Sequence, residues 1–199
     1  MKSIKIKIVK ESFSSGGTLT KSIIKKALIK LGDKLKEKNI KIDLVVAGGI
    51  ISVLYFNNRE STKDIDAIFP NNPDKLKILK ELIDEVSEEQ NLEKGVWLND
   101  SISFFGLETK SKLKIFNHSN LVLYSAKWEE LLGMKLSGAW RSDKDKDDAL
   151  ETLKRIKGKS KEEILKLAIK YKNAAPVIAD KEISERFNYT WKKAYEEEK

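Results

Sequence analysis

Two glycines and two aspartates are the residues of this sequence best placed to do chemistry. Gly48 and Gly49 follow a short apolar run, Ile42 to Ala47, that reads as a buried strand. They precede Ile50 to Tyr55, which reads as a helix. Glycines at such a junction let a ligand approach the backbone closely, and the helix N-terminus offers free N–H groups and partial positive charge to a phosphate. Further on, Asp64 to Phe69 alternates as a second strand. Side chains at i and i+2 of a strand share a face, so the Asp64 and Asp66 carboxylates lie side by side while Ile65 faces the core. Two such carboxylates repel each other and are tolerated when a divalent cation sits between them. Phosphoryl-type transfer needs clamped phosphates, an activated hydroxyl and in-line placement, and a glycine cradle with an aspartate pair supplies those parts. Each motif alone is an ordinary turn or a solvated strand end. Their order, strand, Gly-Gly, helix, strand, Asp-x-Asp, favours function.

A second group lies later in the chain, at Lys135, Arg141, Lys144, Asp145 and Asp148. Asp145 and Asp148 are three apart and share one helix face. Lys135 and Arg141 are more than one helical step apart, so the turn between their helices must fold them together. By composition alone this is a salt-bridged helix pair; beside the first motif it reads as part of one site. Other conspicuous residues read as structure. Trp97 reads as packing, and His118, the only histidine, as a turn residue between two strands. Trp191 to Tyr195 interleaves aromatics with lysines, a pattern that stacks on RNA bases in some proteins but more often lays its rings on the domain.

The elements that must position these groups follow from periodicity. Ser3 to Lys10 alternates as a short strand or arm, and Ser14 to Gly17 is a break. Thr18 to Lys38 has helical apolar spacing with a lysine-rich outer face. Asn57-Asn58 ends the helix after the glycines, and Asp74 to Gln90 is an amphipathic helix after an Asn-Asn-Pro turn. Phe104, Phe105 and Leu107 suggest a strand, as do Leu113 to Phe116 and Leu121 to Tyr124. Four helices then follow, at Lys127 to Trp140, Ser142 to Lys157, Lys159 to Tyr171 and Asp180 to Glu198. The expected fold is α/β (α+β): a small mixed β-sheet with flanking helices over residues 1–124, then a helical lobe over residues 125–199.

Composition narrows the chemistry. The 199 residues suffice for a real core, and 40% hydrophobic with 35% charged residues describes a globular chain. With no cysteine and one histidine, thiolate and multi-histidine metal sites are excluded. A metal must be held by oxygen, which points to Mg²⁺ or Mn²⁺. The net charge of +8 suits a polyanionic partner such as a nucleotide or RNA, or equally a general lysine bias. No apolar run has signal-peptide or membrane-spanning character, so a cytoplasmic protein without membrane contact is expected.

Residues 48–69, GGIISVLYFNNRESTKDIDAIF, resemble the signature of the nucleotidyltransferase superfamily with the DNA polymerase β-like fold. More narrowly they resemble its AbiEii/MenT-type branch, with Arg59, Thr62, Asp64, Ile65 and Asp66 at the places of the branch pattern. Fourteen residues separate Gly49 from Asp64, at or just past the long end of the usual range. The segment from Lys135 to Asp148 is similar to the branch's second pattern. The resemblance implies an enzyme that uses a nucleoside triphosphate and Mg²⁺ and passes the nucleotide to an acceptor. It implies Asp64 and Asp66 as metal ligands, and Gly48, Gly49, Arg59, Thr62, Lys135 and Arg141 around the phosphates. The superfamily's third carboxylate commonly sits on a later strand. Here Leu121 to Tyr124 is uncharged and Glu108 is a poor substitute, leaving Asp145 as first choice and Asp148 as second. Acceptors in the branch include tRNA ends, and its members act as toxins in toxin–antitoxin pairs, which implies a cognate antitoxin as partner. The competing expectation is a degenerate member that binds nucleotide or protein without catalysis.

Overall fold

The structure is a computed structural model, and it describes residues 17–105, 110–138, 140, 143–172 and 178–197. The expected strand over residues 3–10, together with Leu107, Glu108 and Arg141, lies outside the described residues.

The chain enters through β1 (Leu19–Thr20), and Thr20 caps α1 (Lys21–Glu37) by accepting a hydrogen bond from the Ile23 amide. Helix α1 buries Ile24, Ala27, Leu28, Leu31 and Leu35, the stripe that the apolar periodicity predicts. Strand β2 (Ile42–Ala47) follows, then the two glycines and α2 (Gly49–Ile51). The helical path continues over Ser52–Phe56 with wider π-type turns and stops at Asn57, whose left-handed backbone (φ 57°) asparagine tolerates better than most residues. The expected helix over 50–55 is therefore present but is largely π-wound.

Strand β3 (Ser61–Thr62) pairs antiparallel with β1. Strand β4 (Ile65–Ile68) begins one residue after Asp64. Asn72 caps α3 (Pro73–Gln90), with Pro73 at its first position where a missing N–H costs nothing. Strand β5 (Leu98–Asn99) comes next, and a 3₁₀ turn occupies Ser101–Phe105. The strand expected around Phe104 and Phe105 is thus corrected. Asn99 Oδ1 accepts from the Ser101 amide at 2.9 Å, and the Ser103 amide donates to the Asp100 carbonyl at 3.0 Å. A local side-chain bond such as that of Asn99 draws a backbone out of a strand and into a turn.

Strands β6 (Lys110–Asn117) and β7 (Leu121–Ala126) form a hairpin that completes the sheet. The order is β5-β4-β2-β7-β6. Strand β2 is central, parallel to β7 and antiparallel to β4, and β4 is parallel to β5, which makes the sheet mixed. His118 sits in the hairpin turn, where its Nδ1 accepts from the Asn120 amide. Trp97 is buried and donates from its indole N–H to Ser87 Oγ at 2.9 Å.

The remaining described elements are helices: α4 (Trp128–Ser137), α5 (Asp143–Leu153), α6 (Lys161–Lys170) and α7 (Asp180–Tyr195). Two apolar clusters form. One joins the sheet to α1 and α3, and the other joins the helices α4 to α7. Helix α4 serves both, because Leu131 belongs to the first cluster while Leu132 and Leu136 belong to the second. Phe187, Trp191 and Tyr195 of α7 pack along one another, and Phe187 is fully buried in the second cluster. No described helix is long and apolar enough to cross a membrane.

Candidate functional site

Register brings the glycines and aspartates together. Ala47, the last residue of β2, pairs with Asp66 on β4, so the chain leaves β2 into Gly48 directly beside Asp66. Gly48 has φ 73° and ψ −147°, a conformation that essentially only glycine adopts. A Cβ there would also lie 2.9 Å from Asp66 Oδ2. Gly49 faces Thr62 just as closely, and a Cβ would come within 2.8 Å of Thr62 Cβ. Both glycines are thus required by close approach: one to a carboxylate, the other to a buried threonine on β3.

Asp64 and Asp66 are each half-buried. Burial pushes the Asp64 carboxyl up from its ordinary value, and the charge of Asp66 adds to the rise. Lys63 and a backbone hydrogen bond only partly oppose it. The pair therefore lacks a full countercharge, which is the setting a divalent cation relieves. Asp66 divides its two oxygens: Oδ2 faces Gly48, while Oδ1 accepts a hydrogen bond from Ser101 Oγ at 2.7 Å. Among the described residues, no group of three or more acidic or histidine side chains forms a metal-holding cluster. Two carboxylates with substrate phosphates and water suffice for Mg²⁺, so the residues present fit that ion.

A cavity of about 160 Å³ opens beside the glycine turn, lined by Gly48, Leu131, Met134, Lys135, Gly138 and Asp145. It brings the first motif and the second to one place. Its floor is apolar, and its charged groups are one lysine and one aspartate. Lys135 is held near the C-terminal end of α4. The Trp140 indole donates to the Lys135 carbonyl at 3.2 Å, and Arg186 Nη1 of α7 donates to the carbonyls of Leu136 and Gly138 at 2.8 and 2.6 Å.

Asp148 occupies a different position from that of an open metal ligand. Its side chain is 1% exposed. Oδ1 accepts from Ser52 Oγ at 2.7 Å, and Oδ2 receives Lys135 Nζ at 2.6 Å and Arg59 Nη2 at 2.7 Å. A buried carboxylate with three short polar partners holds groups in place. Arg59 is correspondingly engaged with α5, since Nη2 also donates to the Lys144 carbonyl at 2.9 Å and lies 3.8 Å from Asp145 Oδ1. Arg59 Nε is buried without a partner. Asp145 and Asp148 share the face that the three-residue spacing predicts, and only Asp145 reaches the cavity.

Of the residues singled out by motif, the structure brings Gly48, Gly49, Thr62, Asp64 and Asp66 to one end of the sheet. It brings Arg59, Lys135, Asp145 and Asp148 to the facing ends of α4 and α5. Two residues at the site carry no motif, Ser52 and Ser101. Ser52 is the lone polar side chain in the apolar run 50–56, which is a weak signal. Ser101 has none, because its place depends on β5 pairing with β4.

Residues 24–115 match the family described as nucleotidyl transferase of unknown function (DUF2204). The match includes the glycine turn and the aspartate pair and supports the nucleotidyltransferase superfamily. It ends within β6, before Lys135, and does not single out the AbiEii/MenT-type branch. No curated protein and no solved structure matches the chain.

Proposed function

We infer that this chain is a metal-dependent nucleotidyltransferase that takes a nucleoside triphosphate and passes its nucleotide to a hydroxyl of an RNA acceptor. The observation that carries the reading is the close approach of the Asp66 carboxylate to Gly48, which itself lines a cavity shared with Lys135.

Asp64 and Asp66 would hold Mg²⁺ or Mn²⁺. When bound, that ion supplies charge neutralisation for the phosphates and for the developing leaving group. The rest of the chemistry falls to the chain. Gly48 and Gly49 admit the phosphates to the backbone. Lys135 balances negative charge on the triphosphate from across the cavity. Asp148 keeps Lys135 and Arg59 oriented, so it acts through them as a positioning residue. Asp66, with Asp145 as the alternative, accepts the proton of the attacking hydroxyl.

The net charge of +8 supports an RNA acceptor, a tRNA end in the AbiEii/MenT-type reading. That reading also makes the protein a toxin held by a cognate antitoxin. A second reading, a nucleotide- or protein-binding module without catalysis, is favoured by one observation: Asp148 is fully engaged, so no third described carboxylate joins Asp64 and Asp66.

The deciding experiment incubates the protein with each α-labelled nucleoside triphosphate, Mg²⁺ or Mn²⁺ and total RNA, beside the Asp64→Ala/Asp66→Ala variant. Label entering RNA with the wild type alone is the expected result. Metal-dependent nucleotide binding without transfer to any acceptor would leave the binding module as the function.

A further inference from the structure

Ser101 holds a hydroxyl against the carboxylate read above as the proton acceptor. A general base must lie within about 2.6–3.2 Å of the hydroxyl it deprotonates. Ser101 Oγ donates to Asp66 Oδ1 at 2.7 Å. The other oxygen of that carboxylate faces Gly48, and Gly48 lines the cavity that also holds Lys135. One carboxylate therefore has the expected phosphate cradle on one oxygen and a serine hydroxyl on the other.

Ser101 is also exposed, at the start of the 3₁₀ turn, with its amide tied to Asn99 Oδ1 at 2.9 Å. Asn99 is the register partner of Asp66 across β4 and β5. The β4–β5 pairing and the Asn99 bond thus bring the serine to the carboxylate. A merely structural Ser–Asp bond needs neither exposure nor a place beside a phosphate cradle.

We propose that Ser101 is an internal acceptor, and that the protein transfers a nucleotide to its own Ser101 hydroxyl. The inference rests on the nucleotidyltransferase reading given above. In the step, a bond forms between Ser101 Oγ and the α-phosphorus of the nucleoside triphosphate. The bond from that phosphorus to the bridging oxygen of the β-phosphate breaks, and pyrophosphate leaves. The hydroxyl proton passes to Asp66 Oδ1. The product is a serine phosphodiester to a nucleoside monophosphate. Lodged beside Asp66, it obstructs the place an external hydroxyl needs, so self-modification silences the enzyme when RNA is scarce.

The test incubates full-length protein with each of the four nucleoside triphosphates and Mg²⁺, with and without total RNA, and reads intact mass, peptide mapping and RNA label together. The expected result is one nucleoside monophosphate per chain, mapped to Ser101. The adduct is lost in Ser101→Ala, restored in Ser101→Thr, retained in Ser103→Ala, and reduced at least about 100-fold in Asp66→Asn. The RNA-free sample accumulates the most adduct, and its later transfer to added RNA falls in proportion. RNA labelling with no protein adduct, or an adduct that survives in Ser101→Ala, overturns the inference and leaves the transferase reading standing. No adduct and no RNA label with any nucleotide overturns both.

Discussion

Asp64 carries an electrostatic cost in the folded protein. Its carboxyl is raised in the fold by burial and by Asp66, so the fold favours the protonated form. That preference contributes stability below the ordinary carboxylate range, and the contribution is lost as pH rises through the raised value. At neutral pH the ionised group is therefore unfavourable. Asp64→Asn should raise the metal-free melting temperature at neutral pH by about 1 °C, after discounting for solvent screening, and should have no such effect in acid. Thermal melts of both proteins across the pH range check this, and a melting temperature lowered at neutral pH would sink it. Added Mg²⁺ should then stabilise the wild type and not the variant. Asp148 behaves oppositely. Asp148→Asn strips a charge from three partners, two of which can partly turn to water, and should cost about 2 kcal/mol, or roughly 4–8 °C of melting temperature. If Asp148 acts by positioning Lys135, the variant keeps its metal affinity, measured by Mn²⁺ titration, while nucleotide affinity falls. A loss of Mn²⁺ affinity equal to that of Asp66→Asn would instead make Asp148 a ligand.

At the scale of elements, the glycine turn is the tightest joint in the site. Gly49→Ala would drive a methyl into Thr62 and should cost about 1–3 kcal/mol, as overpacking does. Removing the obstruction with Thr62→Ala should return part of that loss, so the double variant melts above Gly49→Ala alone. Additive losses would mean that the two residues do not press on each other. The strands at β2, β4 and β7 and the helices α1 and α3 were legible from their periodicity, because a sustained period of two or 3.6 reports which face is buried. The order of the glycines and the aspartate pair pointed to one site, but the antiparallel register that sets Gly48 beside Asp66 is seen only in the fold. The 3₁₀ turn at Ser101–Phe105 was not legible, because one side-chain bond from Asn99 and one backbone turn bond outweighed aromatic β-propensity there. Nor was the π-winding of Ser52–Phe56, which has no period of its own in so short a run. The partners of Asp148 were hidden for another reason. Its spacing from Asp145 showed a shared face, but only tertiary packing decides which of two acids is buried among a serine, a lysine and an arginine.

The molecule as a whole is basic, and the proposed acceptor is not. If RNA is held through phosphates, transfer to RNA should weaken steeply with salt. Contact with three to five phosphates of a single strand gives a log–log slope of about −2 to −4. Michaelis constants for RNA across a salt series measure it, with the nucleotide constant as internal control. A flat dependence would mean that the lysine excess serves solubility. Helix α4 is the member that joins the two clusters, and Asp148 fastens the later helices back to Ser52 and Arg59. The Ser52 bond closes a sequence separation of 96 residues. That closure has a consequence in time. A ribosome delivers Asp66 long before Asp148, and at roughly 5–20 residues per second the interval is about 4–16 s. Through most of it Lys135 has not been made either, and once made it waits for Asp148. The carboxylate pair is therefore made first, and the residue that orients Lys135 completes the candidate site later.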